Sequence, residues 1–195
     1  MKSTGEVLGL GKTLNEALFK GLTSAGMKCR SALSGGDAGV LISVDTHDQP
    51  EVLSLAKKLY DLKFKLYATR ETAETVKSLG IPVTEIAGIR ESDNAFRLLE
   101  NGDISYIIYT GALMDSTVDD YIALHRRALQ LSIPCFTSLD TANALADIIA
   151  SRYTEQNTEL VDINNMRKSR RPLKFAKMQG TGDDYIFIEN FDNSV

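Results

Sequence analysis

Between residues 39 and 153, short apolar runs alternate with longer segments whose apolar residues recur every three or four positions. The runs GVLISV, KLYAT, VTEIAGI, ISYIIYT and IPCFTSL have the length and composition of buried strands. The intervening segments, such as PEVLSLAKKLYDL with Val52, Leu55 and Leu59 on one side, are typical of amphipathic helices. Strands that alternate with single helices form parallel crossovers. The pattern therefore predicts an α/β fold, a doubly wound open parallel sheet with helices on both faces.

Segments of a different character flank this region. Residues 1–38 contain STGEVLGLGKTLNEALFKGL, in which Thr13 and Glu16 form a capping box before apolar residues at helical spacing, so we predict a helical lead-in and a linker. Residues 154–172 are polar and poorly periodic, which is typical of a linker. Residues 173–195 hold two short strand-like runs around a glycine-rich turn. The predicted domain boundaries are therefore 1–38, 39–153, 154–172 and 173–195.

The glycines of GEVLGLGKT suggest a phosphate-binding loop, but their spacing does not fit one. The pattern GxxxxGK[ST] requires a glycine where Glu6 stands, and the sequence predicts no strand before it. We therefore interpret this stretch as the approach to the helix.

Composition narrows the classes of partner. The chain has 195 residues, 43% of them hydrophobic, with a net charge of -4 and a mean hydropathy of -0.13. These values favour a globular, cytoplasmic protein without a nucleic-acid partner, and the basic run MRKSRRPLK lacks the interleaved aromatic residues of a nucleic-acid surface. No apolar run approaches the roughly 20 residues needed to span a membrane. Cys29 and Cys135 lie far apart and outside any CxxC motif, so we expect reduced thiols and no metal site.

Several motifs together resemble one known family. STGEVLGLGKTLNEALFKGL is similar to the segment that ends the second ATP-grasp half of the carbamoyl-phosphate synthetase large chain. The region that follows, through LGIPV to RRALQLSIPCFTSLDTANAL, resembles the C-terminal regulatory domain of that enzyme, which has the methylglyoxal-synthase-like fold. The resemblance runs from Ser3 to Ser151. The STGEVLG stretch directly before this fold distinguishes the synthetase from other proteins that share the fold.

The resemblance implies the allosteric regulatory portion of a synthetase that supplies carbamoyl phosphate for pyrimidine and arginine biosynthesis. It implies no enzymatic activity for this chain on its own, because the parent is a glutamine-dependent, ATP-dependent ligase whose ATP and Mg or Mn bind elsewhere. The expected partners are the other domains of the large chain, its glutaminase small chain and a nucleotide effector. The alternative is an interaction module without a small ligand, which packs on the synthetase core or associates with itself.

The same resemblance implies an effector site. The family holds the effector's phosphate at a strand-to-helix turn of the form TxGT, and Thr69 and Thr72 match its two threonines. Ser43 and Thr110 follow neighbouring strands, and Arg70 lies inside the turn, where it adds positive charge. The candidate effector-binding residues are therefore Ser43, Thr69, Arg70, Thr72 and Thr110.

The sequence departs from the family pattern in ways that weaken anion binding. Glu71 replaces the glycine of the turn, and Gln49 and Gly88 stand where lysines are usual. Each lost lysine removes a charge-assisted contact of about 1.5–3 kcal/mol. Arg90 offers some compensation, but the surrounding loops are acidic, with Asp45, Asp48, Glu91, Asp115 and Asp119.

A catalytic site is not expected. Methylglyoxal synthase carries aspartates in a GPxGGD-type loop after its third strand, where this chain reads IAGIRESDNAFRLL. His47 fits a solvated loop residue, His125 a surface or packing residue, and Cys135 a core residue, rather than a base or a nucleophile.

The end of the chain carries a second, shorter resemblance. LKFAKMQGTGDDYIFIE is similar to the opening of diaminopimelate epimerase, with Asp183 where that family has asparagine. This implies a gene fusion or junction and no racemase activity, because the catalytic cysteines of that family lie far downstream of its opening.

Overall fold

The computed structural model describes residues 7–29, 38–89, 93–110, 118–162, 174–180 and 183–189, the last two ranges by their backbone alone. Two compact units are present: Arg30–Ala146 form one, and Met1–Cys29 with Asp147–Val195 form the other. The strands are β1 Val7–Gly11, β2 Gly39–Ser43, β3 Lys65–Thr69, β4 Val83–Ile86, β5 Ile104–Tyr109, β6 Cys135–Phe136, β7 Lys174–Gly180 and β8 Asp183–Glu189. The helices are α1 Leu14–Ser24, α2 Gln49–Asp61, α3 Arg70–Lys77, α4 Asn94–Glu100, α5 Val118–Gln130 and α6 Leu139–Ala150, with a short 3-10 helix at Thr46–Asp48.

Five strands of the larger unit form one sheet. Their order is β4–β3–β2–β5–β6, and every neighbouring pair is parallel. The chain starts at β2 in the centre and winds outward in both directions, which confirms the predicted doubly wound, open parallel sheet. The carboxyl ends of β2, β3 and β5 therefore meet at one edge, where parallel α/β sheets bind their ligands.

The central strand is buried on both faces, which explains its continuous apolar sequence. Leu41 packs in an apolar cluster with Ile107 of β5, Leu99 of α4 and Leu124 of α5. Val40 and Ile42 are completely buried too, and their alternation with Leu41 points them to the opposite face. The helices α2 and α3 contact β3 and each other. Helices thus cover both faces of the sheet, as the sequence pattern predicts.

Tight turns lead from the helices into the strands that follow them. Lys63 after α2 and Ser132 after α5 adopt the left-handed conformation, with φ of 69° and 55°. The Phe64 N–H donates to the Leu59 carbonyl at 3.1 Å, and an equivalent bond of 2.8 Å closes the turn at Ser132. These bonds satisfy carbonyls of the last helical turn, so the chain leaves the helix without a long connection.

The smaller unit holds a second sheet. β1 pairs in parallel with β8, and β8 pairs antiparallel with β7. Gly9 and Gly11 of β1 face α1. A Cβ atom on Gly9 would overlap the Ala17 carbonyl oxygen and lie 2.8 Å from the Gly21 nitrogen. A Cβ atom on Gly11 would lie 2.6 Å from the Ala17 nitrogen. Only glycine lets the strand and helix backbones approach this closely.

The sequence predicts α1, β7 and β8, but not β1. Glycine at alternating positions of VLGLG lowers the strand propensity, and the strand that pairs with it lies at the far end of the chain. Gly9 and Gly11, which are two of the glycines that suggested a phosphate loop, therefore serve helix packing. Thr13 caps α1 by accepting a hydrogen bond of 3.2 Å from the Glu16 N–H, which confirms the threonine half of the predicted capping box. The Glu16 carboxylate accepts a hydrogen bond from the Lys12 N–H.

Two other features bear on the predictions. β6 comprises only Cys135 and Phe136, so it is shorter than the run IPCFTSL predicts. Within the described ranges, no helix has the length and apolar character that crossing a membrane requires. The bounds of the four predicted segments stay predictions.

We expect Gly9→Ala to destabilise the packing of α1 on β1. The added methyl group meets backbone atoms of α1, which cannot move aside as a flexible side chain would, so the loss should reach about 1–3 kcal/mol. Amide hydrogen exchange across α1 measures the loss. Leu8→Ala is the matched control in the same strand, because Leu8 is 48% exposed and should cost less. Equal exchange in the two variants would contradict the prediction.

Candidate functional site

Hydroxyl side chains meet where β2, β3 and β5 end. Ser43 is the last residue of β2, Thr69 the last of β3, and Thr110 follows β5. Thr69 Oγ1 donates to Ser43 Oγ at 3.1 Å, and the Thr110 N–H donates to the Ser43 carbonyl at 3.1 Å. The Asp45 N–H in turn donates to Thr110 Oγ1 at 2.9 Å. The structure therefore brings three of the five candidate residues together, and we call Ser43, Thr69 and Thr110 the hydroxyl cluster.

Thr72 holds the loop that follows Ser43. Its side chain is completely buried, and its Oγ1 accepts hydrogen bonds from the Val44 N–H at 3.2 Å and from Gln49 Nε2 at 3.4 Å. Gln49 Nε2 also donates to the Val44 carbonyl at 3.2 Å. Thr72 thus positions the loop after β2 and has no surface with which to touch a ligand.

Gln49 occupies the place where the family resemblance predicts a lysine. Its amide clamps the loop after β2 to α3, but it is neutral. Among the described residues its Oε1 is buried without a hydrogen-bond partner. Gln49 thus links the loop after β2 to α3, but it does not supply the positive charge that a lysine would bring.

The start of α3 lacks a side-chain cap from its own N-cap residue. Thr69 has the extended backbone of an N-cap, with φ of -64° and ψ of 157°, but its hydroxyl bonds to Ser43 instead of to the helix. Backbone N–H groups at the start of a helix favour anions. Glu71 stands in this first turn and is exposed, so its carboxylate competes for the same positive field.

Arg70 turns away from the hydroxyl cluster. Its side chain is 75% exposed, and its Nε lies 3.5 Å from Glu85 Oε1 on β4. Lys77 Nζ lies 3.0 Å from the other carboxylate oxygen of Glu85. The hydrogen bond from Lys77, with a smaller effect of Arg70, lowers the pKa of Glu85. The structure therefore places Arg70 beside the cluster, paired with a carboxylate, and not within it.

The loop after β2 adds negative charge. Asp45 Oδ1 accepts hydrogen bonds from the His47 N–H at 3.0 Å and from His47 Nδ1 at 2.8 Å, and these bonds lower the pKa of Asp45. The His47 ring itself is 87% exposed, as the solvated interpretation predicts. The residue that carries this carboxylate is bonded to Thr110 through its backbone N–H.

The remaining candidates have structural surroundings. The His125 ring stacks on Tyr121 at a centroid distance of 5.2 Å, which confirms the packing interpretation. Cys135 is buried, and burial raises its pKa to about 12, so it is a core residue as predicted. The part of the chain that the structure describes contains no group of three or more His, Cys, Asp or Glu side chains placed to hold a metal ion. Arg90, Glu91, Asp115 and residues 166–173 of the run MRKSRRPLK lie outside the described residues.

Sequence reasoning missed two residues near the cluster. Glu85 belongs to no recognisable sequence motif. The only signal of a pairing is that a charged residue stands in the strand VTEI, close to the charged helix RETAETVK. Val44 is an ordinary apolar residue by sequence, yet its N–H ties the loop to Thr72. Both roles depend on backbone geometry that residue types do not reveal.

Comparison with known proteins agrees with this architecture. A family model described as an MGS-like domain matches residues 51–137, a span that includes Thr69, Arg70, Thr72 and Thr110. The carbamoyl phosphate synthase large chain of Clostridium botulinum (strain Kyoto / Type A2) is 36% identical over 166 residues, which is 85% of this chain and 15% of that protein. The large chain of the strain Langeland / NCTC 10281 / Type F is 35% identical over the same share.

Among solved structures, methylglyoxal synthase from Elizabethkingia anophelis NUHP1 matches with a TM-score of 0.47 and 19% identity. The matched region is 70% of this chain and 94% of the synthase chain.

Residues 51–137 form an MGS-like domain. The chain that carries this domain is related to the carbamoyl phosphate synthase large chain, and it spans about 15% of the length of those curated relatives. The resemblance to that enzyme stated from the sequence is thereby confirmed. The epimerase-like resemblance of the tail stays a prediction.

We expect Thr72→Val to destabilise the larger unit. Valine keeps the shape of threonine but leaves the buried Val44 N–H without its acceptor, which costs about 1–3 kcal/mol. Urea unfolding measures the change. Thr75→Val on the same helix is the control, because the Thr75 hydroxyl donates to the Glu71 carbonyl in an exposed position. A Thr72 variant as stable as the Thr75 variant would rule out this role for the buried hydroxyl.

Proposed function

We propose that this chain is the allosteric regulatory portion of a carbamoyl phosphate synthase large chain and that its hydroxyl cluster binds a nucleotide effector weakly. The observation that carries the proposal is the extent of the match. Because 166 of the 195 residues align, the matched segment begins no later than residue 30 and ends no earlier than residue 166. The likeness therefore continues on both sides of the MGS-like domain, which favours the synthetase over a free-standing enzyme with this domain.

Two features of the cluster support phosphate binding. The hydroxyls of Ser43 and Thr69 are half-buried and lie at the edge where parallel sheets bind ligands. The adjacent start of α3 has no side-chain cap from Thr69, so backbone N–H groups are available for a phosphate oxygen. This arrangement supplies neutral donors that orient a phosphate group.

Other features oppose strong binding. Gln49 is neutral where a lysine would add a charge-assisted contact of about 1.5–3 kcal/mol. Glu71 places a carboxylate in the first turn of α3, and Glu85 holds Arg70 in an ion pair. The proposed effector site therefore relies on hydrogen bonds from neutral groups, and its affinity is low.

On this proposal the chain has no catalytic activity of its own. The ligase activity, the ATP and the Mg or Mn belong to the rest of the large chain, and glutamine hydrolysis belongs to a glutaminase small chain. The partners are then those domains, in the cytoplasm. Uridine and inosine monophosphates are the candidate effectors.

Titration calorimetry of the full chain with uridine 5′-monophosphate and inosine 5′-monophosphate tests the effector site. We expect saturable heat with a dissociation constant of about 1 mM for at least one nucleotide, equivalent to about 4 kcal/mol of binding free energy. Glu71→Gln should tighten this binding about two- to fivefold, because a charge at a helix terminus contributes about 0.3–1 kcal/mol.

Glu74→Gln is the matched control for the Glu71 variant. Glu74 is exposed on the same helix, one turn further from the cluster, so its replacement should leave the affinity unchanged. Absence of heat at millimolar nucleotide would reject effector sensing by this chain. Equal affinities for the two variants would show that the ligand binds away from the start of α3.

A second candidate is the interaction module, favoured by exposed apolar side chains in the smaller unit. Leu8 of β1 is 48% exposed and Leu14 of α1 is 40% exposed. Exposed apolar side chains are candidate contacts of an interaction surface. If this unit associates with itself, light scattering at high concentration should give a mass above that of one chain, and Leu8→Ser should lower it. A single-chain mass at every concentration would contradict self-association.

A further inference from the structure

One buried carboxylate plays no part in the proposed effector site. Glu16 is the only charged side chain classed as buried among the described residues, with 5% exposure. Its Oε2 accepts a hydrogen bond of 2.8 Å from the Lys12 N–H. Its Oε1 lies 2.7 Å from Lys20 Nζ and accepts a hydrogen bond of 3.2 Å from the N–H of Glu159. Glu16 therefore joins the start of α1 to a segment near the other end of the chain.

Further polar contacts surround this carboxylate. Lys20 Nζ also donates to the Glu159 carbonyl, and Lys12 pairs with the Glu159 carboxylate. The Glu16 side chain thus lies beside one ammonium group, that of Lys20, and two backbone N–H groups. Burial alone opposes ionisation, but the bonds from Lys20, Lys12 and Glu159 outweigh it, so the pKa of Glu16 lies below its ordinary value.

The segment that contains Glu159 is attached to α1 at two more points. The Thr13 and Tyr153 hydroxyls lie 2.9 Å apart, and Asn15 Nδ2 donates to Ser151 Oγ at 2.9 Å. The rings of Phe19 and Tyr153 lie 6.2 Å apart. All of these partners belong to the smaller unit.

Apolar burial contributes little to this attachment. Leu160 is fully exposed, and most side chains between Ser151 and Val161 are exposed as well. An open cavity of about 570 Å³ lies beside these contacts, between parts of the segment, β1 and α1. It is lined by Leu8, Leu10, Phe19, Lys20, Thr23, Ser24, Glu155, Thr158, Glu159, Leu160 and Val161. Since few side chains of the segment are buried, its polar contacts hold it in place.

We propose that residues 151–161 form a detachable strap, latched onto α1 by Glu16, that opens as a unit when the Glu16 contacts are lost. Opening uncovers the apolar side chains of β1 that line the cavity, while α1 and β1 stay packed through their glycines. A carboxylate with several charge-assisted bonds suits a latch, because removing its charge weakens all of them at once. The charged groups that face the latch are Lys12, Lys20 and Glu159, with Glu155 on the cavity wall. This device is separate from the effector site and does not depend on it.

Limited digestion of the full chain with a protease that cleaves after glutamate tests the strap. Glu155 and Glu159 are exposed cleavage sites, and the backbone around them gains the freedom to enter a protease active site when the strap opens. We expect Glu16→Gln to increase the rate of cleavage at these two sites at least tenfold. Glu51→Gln is the matched control, because Glu51 occupies the first turn of α2 and is exposed. Cleavage of Glu16→Gln at the rate of the control would overturn the proposal.

A second variant keeps the test decisive if Glu16→Gln also disturbs α1. The double variant Ser151→Ala with Tyr153→Phe removes two attachments of the strap and leaves every residue of α1 intact. We expect it to increase cleavage at Glu155 and Glu159 about two- to fivefold, while hydrogen exchange in α1 stays at the level of the unmodified chain. Unchanged cleavage in the double variant, or faster exchange in α1 that accompanies faster cleavage, would refute a strap that opens independently.

Discussion

The parallel pairing of β2 between β3 and β5 is the constraint on which the candidate site depends. Three strands that run in the same direction end at the same edge, so Ser43, Thr69 and Thr110 become neighbours although they are far apart in the sequence. The apolar side chains of β2 are buried on both faces, and a shift of one residue in register would turn each of them to the other face. The packing that stabilises the sheet therefore also fixes the hydroxyl cluster.

Electrostatics at this edge works in opposite directions. The neutral hydroxyls and the uncapped start of α3 attract an anion, whereas Glu71 and Asp45 repel one. Arg70 is nearby but already paired with Glu85. Because the opposing groups are exposed or partly exposed, water and salt reduce each contribution. Small changes in side-chain charge can consequently shift the balance between attraction and repulsion of an anion without any effect on the fold.

The sequence predicts the larger unit well because its signals are local. Each buried strand and amphipathic helix has its own periodicity, and the resemblance to a known family identifies the hydroxyl residues. What the sequence does not reveal depends on contacts between distant residues. The strand β1 has poor propensity and exists through β8 and the close packing of α1. The burial of Thr72, the ion pair of Arg70 and the contact of Glu16 with Glu159 likewise follow only from three-dimensional positions.

The tight left-handed turns at Lys63 and Ser132 have a consequence for how this domain can diversify. They connect helix to strand within a few residues, so an insertion there would displace the following strand from its neighbours. At the opposite edge, the connection between Tyr109 and Val118 is longer, whereas α3 begins directly after β3 and only two residues join β6 to α6. Evolution can thus vary loop length most readily at the longer connections of that edge, and related domains can differ there without a redesign of the scaffold.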